Sequence, residues 1–311
     1  MFNHLSVASA FSFKYGTTQP HDLVARAAQF GAPALAITDR DSLAGVIRFV
    51  QAAKDFGIAP IVGVNLALDN SRVTLLAQSD GGWRSLCRLM SALRPDRNPP
   101  TLHLEKIKTL SEYTSNLILL HGPDSQIANL ITKHRPDQAL HEFNKYRPYF
   151  ADSVIECVSH LAPGDGPRST GHAGRMLGFA RDHDLPAVIT NGVRMLDAAD
   201  GPVADILDAA RKLVPLHKRH VERANNEAYL KDNQQMRDLA DEISRAAGER
   251  SGRTLLRATQ RIAERCILSP QEFGLGGIEL PEAEVVGVKS YKEMRALLRS
   301  RCESGLNWRY S

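Results

Sequence analysis

Apolar residues in this chain fall into short continuous runs, separated by longer stretches where they recur every third or fourth position. The runs cover residues 5–8, 34–38, 58–64, 72–77, 116–121, 153–158 and 187–191. Runs of this length, rich in Val, Ile and Leu, predict buried strands of a largely parallel sheet. Between them, residues 20–31, 43–56, 81–91 and 171–183 show helical spacing, and residues 122–146 hold one or two further amphipathic helices. Proline near the start and glycine at the stop punctuate the first of these helices. Strands alternating with helices argue for an α/β fold.

The stretch 34–65 is the clearest unit. Ala34 to Thr38 forms a strand, and Asp39-Arg40-Asp41-Ser42 is a polar loop in which Asp41 or Ser42 would cap the following helix. That helix ends at Gly57, and a second strand from Ile58 stops at Asn65. In open α/β sheets and α/β barrels, chemistry gathers at the carboxyl ends of strands, so Asp39, Arg40 and Asn65 stand at candidate site positions. Residues 94–104 and 159–170 read as loops rich in proline or glycine. From Leu213 onward the strand signal fades, and residues 217–267 read as polar helices.

Hydrophobic residues at 43% and charged residues at 24% fit a globular chain rather than a disordered or fibrous one. No apolar run approaches a membrane span, and the first residues lack a basic segment followed by an apolar core, which sets the expectation of a cytoplasmic protein with no membrane partner. Cys87, Cys157, Cys266 and Cys302 are too scattered for a zinc knuckle or a disulfide framework. A net charge of +4 is too small to argue for a nucleic-acid surface. Dinucleotide, Walker and nucleophile-elbow patterns are absent from the sequence. The histidines from His103 to His220 show no His-x-His or His-x-x-x-His spacing and read as surface or structural.

The wording of several segments resembles the polymerase-and-histidinol-phosphatase (PHP) domain that opens the alpha subunit of bacterial DNA polymerase III. Thr38-Asp39-Arg40, Leu43-Ala44-Gly45 and Gly57-Ile58-Ala59-Pro60-Ile61-Val62-Gly63-Val64-Asn65 keep the family's frame of Thr-Asp-His, Leu-x-Gly and Gly-Ile-x-Pro-Ile-x-Gly-x-Glu. His4-Leu5-Ser6-Val7-Ala8-Ser9 stands where the family has His-Leu-His-x-His-Ser, and Asn191-Gly192-Val193-Arg194 where it has Asn-Asp-Val-His. Ala204, before Asp205-Ile206-Leu207, takes the place of another family histidine. Phe11 to Gly16 is similar to the error-prone, actinobacterial-like branch, and the segment from Leu280 to Tyr310 resembles the lead into the polymerase palm.

This resemblance implies an α/β fold: a distorted (β/α)7 PHP barrel over residues 1–215, with a helical C-terminal extension over residues 216–311 leading toward a palm. It also implies vestigial metal-site positions at Ser6, Ala8, Asp39, Arg40, Asn65, Gly192, Arg194 and Ala204, of which Asp39 alone keeps a metal-binding side chain. No metal is expected in this chain, while magnesium serves the parent polymerase. Asp39 is read either as a loop or cap carboxylate or as the partner of Arg40, Arg194 or both. The implied function is a scaffolding domain of an error-prone polymerase in replication or damage-tolerant synthesis. Its partners would be the parent's palm and thumb, DNA through the parent, and other repair-complex subunits. The competing reading is a metal-dependent phosphoesterase or proofreading 3′–5′ exonuclease using the remaining carboxylates, such as Asp39 and Glu156. A third is a free-standing remnant that binds a protein partner.

Overall fold

A computed structural model describes the chain except for residues 79–80, 94–99, 222, 275–282 and 311. The strands are β1 (Ala34–Arg40), β2 (Ala59–Leu68), β3 (Ser71–Ala77), β4 (Thr101–Leu102), β5 (Leu117–His121), β6 (Asp152–Val158) and β7 (Ala187–Thr190). They form one sheet in the order β1-β2-β3-β5-β6-β7, with β4 on the edge of β2. The β1–β2, β5–β6 and β6–β7 pairs are parallel. β3 runs against both of its neighbours, because it returns from β2 through a turn at Asp69, where φ is +50°. The expected strand end at Asn65 therefore moves out to Leu68, and Asn65 becomes an interior position paired with Thr74.

The N-terminal segment closes the ring. His4 bridges Leu35 of β1, and Val7 bridges Val193 just beyond β7. The amides of Ala36 and Thr38 donate to the carbonyls of His4 and Val7, while Ala8 and Val193 exchange amide bonds with the segment on the other side. The result is the expected distorted α/β barrel, with its helices outside the strands.

The helix after β1 begins later than its cap signal predicts. It spans Val46–Phe56 with Gly45 at the N-cap position and ends at Gly57, whose φ of +68° supplies a left-handed stop. Asp41 sits at φ +55° and donates its amide to the Asn65 carbonyl, so it prolongs the β1–β2 edge and does not cap the helix. Among the described residues, the Ser42 hydroxyl accepts from the amide of Ala44 and caps no helix.

The chain divides into two units, Met1–Phe273 and Gly274–Ser311. Residues 216–273, read from sequence as the start of an extension, lie within the first unit. Helix Asn233–Ala246 buries Met236, Leu239 and Ile243 among the outer helices. Helix Arg253–Cys266 brings Ile262, Ala263 and Cys266 into the cluster that fills one end of the barrel. The Thr259 hydroxyl satisfies the amide of Ile189 in β7, and Ile267 bridges Ile61 of β2. Polar composition conceals the place of these helices in the barrel because each offers only one apolar stripe. The second unit holds helix Tyr291–Tyr310, which has no buried residue.

Candidate functional site at the barrel mouth

Every second residue of a strand faces inward. At one end of the barrel these rows are apolar, with Ala34, Ala36, Ile61, Leu76, Ile118, Leu120, Val154 and Val188 in a single buried cluster. Farther along, the same rows turn polar. Thr38 and Arg40 continue β1, Asn65 continues β2, Glu156 continues β6, and the reversed β3 offers Thr74 and then Arg72. With Ser6, Ala8 and Gly192 they line a cavity of about 60 Å³. A second cavity of about 280 Å³ adjoins it and shares Tyr15, Arg40, Asp124 and Arg168.

Asp39 has the opposite parity and faces away from both cavities. It is 2% exposed and accepts three hydrogen bonds, from the Ser9 amide (2.6 Å), the Ser9 hydroxyl (2.9 Å) and the Ser12 hydroxyl (2.7 Å). Burial pushes its carboxyl above the ordinary value, against the pull of those donors. The Leu43-Ala44-Gly45 wording gains a physical reason here. A Cβ on Gly45 would stand 2.8 Å from Asp39 Oδ2 and 3.0 Å from Phe11, so only glycine lets the turn close over the carboxylate. The loop or cap reading of Asp39 does not match the structure, since Asp39 is a residue of β1, paired with Val64, and its carboxylate anchors the N-terminal loop through Ser9 and Ser12. The arginine partnership does not match either: among the described residues neither Arg40 nor Arg194 bonds to Asp39.

The arginines take other partners. Arg194 is nearly buried, donates to both oxygens of Asp208 at 2.9 and 3.1 Å, and reaches the Tyr15 carbonyl at 3.0 Å. Arg211 joins the same carboxylate at 2.7 Å. Arg72 donates to Asn65 Oδ1 at 2.7 Å and to Asp41 at 2.9 Å. Arg168, at φ +68°, pairs with Asp124 at 2.6 Å. The guanidinium carbons of Arg40, Arg194 and Arg211 lie 3.4, 4.1 and 5.7 Å from the centroid of the Tyr15 ring. Deeper in, Glu156 accepts from Thr190 at 2.7 Å, and burial raises its carboxyl above the ordinary range.

Of the eight sequence candidates, Ser6, Ala8, Arg40, Asn65 and Gly192 line the smaller cavity, and Arg194 lines the larger. Asp39 lies behind the wall. Ala204 is fully buried with Met195 and Ala228 in an apolar cluster and faces neither cavity. Among the described residues, no three His, Cys, Asp or Glu side chains stand where they could share a metal ion.

The sequence matches the PHP domain over residues 4–160, just over half of the chain. The chain belongs to the PHP domain family. An error-prone DNA polymerase of Symbiobacterium thermophilum is 33% identical over 85% of this chain and 25% of its own length. The DNA polymerase III subunit alpha of Buchnera aphidicola is 31% identical over 79% of this chain and 22% of its own. An error-prone DNA polymerase of Dechloromonas aromatica is 30% identical over 99% of this chain and 28% of its own. This PHP chain thus spans about a quarter of the length of those curated relatives. The crystal structure of a protein from Bifidobacterium adolescentis named a putative metal-dependent phosphoesterase is 15% identical with a TM-score of 0.42, covering 77% of this chain and 96% of that one.

Sequence reasoning missed Tyr15, Arg72, Asp124, Arg168, Asp208 and Arg211 as parts of the mouth. Arg72 was legible as the outermost inward position of β3, two and four residues before Thr74 and Leu76. Arg168 and Asp124 carry no periodic signal, since each sits in a loop joined to the other only in three dimensions.

Proposed function

We propose that this PHP domain is a scaffolding part of an error-prone DNA polymerase of the DNA polymerase III alpha type, with its hydrolytic metal centre lost. The single observation that carries this reading is the donor set at the mouth. Where the family resemblance calls for metal-binding side chains stand a hydroxyl, methyl groups, an amide, a bare glycine and two guanidinium groups. Hydroxyl and amide oxygens are weak ligands for zinc, manganese or iron, and fixed cations oppose a divalent ion. The one retained carboxylate, Asp39, faces away from the cavities and already accepts three hydrogen bonds. The residues present do not fit a divalent metal cluster, and no hydrolytic step is assigned to them.

The identity of the relatives over most of this chain supports the parentage. In that setting the domain packs against the polymerase it belongs to, and template-directed synthesis with magnesium belongs to the parent's palm. DNA is met through the parent.

The test is metal analysis of the purified protein after loading with zinc and manganese, joined to phosphodiesterase and 3′–5′ exonuclease assays. Less than a tenth of an equivalent of retained metal and no turnover are expected, and Arg40→His alone leaves both unchanged. Stoichiometric metal with turnover would overturn the reading in favour of a hydrolase with atypical ligands.

A further inference from the structure

A surface helix ordinarily turns its apolar stripe inward and its charges to water. Helix Gly201–Lys212 reverses that arrangement. Its exposed positions are Pro202, Val203, Ile206 and Ala210, none of them charged. Of its charged residues, Asp208 is buried, and Asp205, Arg211 and Lys212 are partly buried. Asp205 is held by Arg223, and Asp208 by Arg194 and Arg211, so the barrel side of the helix uses the charges.

Val203, Ile206, Ala210 and Leu213 recur at intervals of three, four and three residues and form one stripe along the outer face. Leu213 closes the helix at φ +56° and is 86% exposed. Glycine takes that conformation freely, so a leucine is kept there against backbone strain. Lys14, at φ +53°, donates Nζ to the Ala210 carbonyl at 3.1 Å. This ties the loop carrying Phe13, 80% exposed, to the same helix end, and Leu216 adds a further exposed apolar side chain just beyond it. A run of apolar surface of this kind marks a site of association.

We propose that this face is the contact between two copies of the chain, with the helices packed antiparallel about a two-fold axis level with Asp208. The stripe has the same spacing read from either end. Such an axis sets Val203 of one copy against Leu213 of the other, and Ile206 against the small Ala210, so a large side chain meets a small one at the centre. The ends are complementary in charge as well. Asp197 and Asp200 stand at the N-terminal end of the helix, and Lys14 and Lys212 at the C-terminal end. Antiparallel packing lays each basic end over an acidic end and opposes the helix dipoles, whereas a parallel pair sets like charges together. The helix has 12 residues and is about 18 Å long, a small face beside the ~1,200–2,000 Å² of stable complexes, so the dimer is weak and reversible. The contact is independent of the chemistry of the mouth, because the four stripe residues line neither cavity.

The test is sedimentation equilibrium of the full chain over a hundredfold range of concentration. A reversible monomer–dimer equilibrium in the micromolar range is expected. Ile206→Asp and Leu213→Asp each weaken it at least tenfold, and Ile206→Asn, which adds no charge, does so by a smaller factor. Leu298→Asp, on the exposed helix of the second unit, leaves it unchanged. Unfolding midpoints establish that each variant folds. Cross-linking reads the orientation. Cys302 is the exposed native thiol, so the background is Cys302→Ser. A Leu213→Cys chain mixed with a Val203→Cys chain should join through a short bis-thiol reagent faster than either chain joins its own kind, since like positions lie ~15 Å apart along the antiparallel pair. A monomer at every concentration would overturn the proposal and leave the face to a different partner. Loss of the dimer in Leu298→Asp with none in Ile206→Asp would place the contact on the second unit and overturn it equally. Like-with-like cross-linking as fast as the mixed reaction would overturn the two-fold antiparallel arrangement.

Discussion

Asp39 accepts three hydrogen bonds at a depth where water cannot replace them. Asp39→Ala strands the Ser9 amide and two hydroxyls, at a cost of ~2–4 kcal/mol for several orphaned donors. Asp39→Asn keeps one acceptor oxygen and should cost about half as much. Urea unfolding midpoints rank the two against wild type, and an Asp39→Ala midpoint equal to wild type would remove the anchoring role. Histidines supply a second effect at this scale. Burial lowers the pKa of His4 to about 4 and that of His121 to about 3. The unfolded chain takes up these protons near pH ~6.5, whereas the folded chain resists until pH 4 or 3. Between those values the unfolded state binds more protons, so this contribution is complete above pH ~6.5 and is lost as pH falls, by at most ~1.4 kcal/mol per unit for each ring. His121→Leu should flatten the acid limb of a stability-against-pH curve between pH ~6 and ~4 relative to wild type. Identical limbs would show that His121 titrates normally. The sequence pattern placed Asp39 and Arg40 next to each other but could not say which of the two faces inward. Strand parity decides that, and it needs the barrel's inside to be known.

At the scale of elements, the strands and most outer helices were legible because each carries a full run or a full stripe of apolar residues. The helices after residue 216 were legible as helices but not as barrel parts. Their apolar positions, Met236, Leu239, Ile243, Leu255 and Ile262, are few among many charges, yet all are buried. Each is worth ~1.5–3 kcal/mol when removed from water, and together they rival the ~5–15 kcal/mol that stabilises a whole domain. A chain ended at residue 273 should therefore unfold cooperatively near the full-length midpoint. A chain ended at residue 215 exposes β7's partner Thr259 site and the open end of the barrel, and should aggregate or lose near-ultraviolet dichroism. Cooperative unfolding of the 1–215 fragment would return the boundary to where the sequence pattern put it.

At the scale of the molecule, the mouth is where the N-terminal loop, the segment after β7 and the helix Gly201–Lys212 meet, and one ion cluster joins them. Arg194 binds Asp208 on that helix and the Tyr15 carbonyl on the loop, and the Arg194 carbonyl accepts from Thr17. The sequence could mark Arg194 as a candidate site position through family wording alone. Asp208 is hidden from such reasoning because it lies on a helix with no motif, and its role exists only once the ring has closed. This coupling sets the cost of placing a histidine at position 194. Arg194→His leaves Asp208, 6% exposed, with Arg211 alone, and should destabilise the chain by ~2–4 kcal/mol, as breaking a buried pair does. Asp208→Asn should cost a similar amount, and the double variant should cost less than the sum by ~1–3 kcal/mol if the pair acts as a unit. Additive losses in that cycle would mean that Arg194 closes the ring through the Tyr15 carbonyl and its ring contact, with the carboxylate incidental.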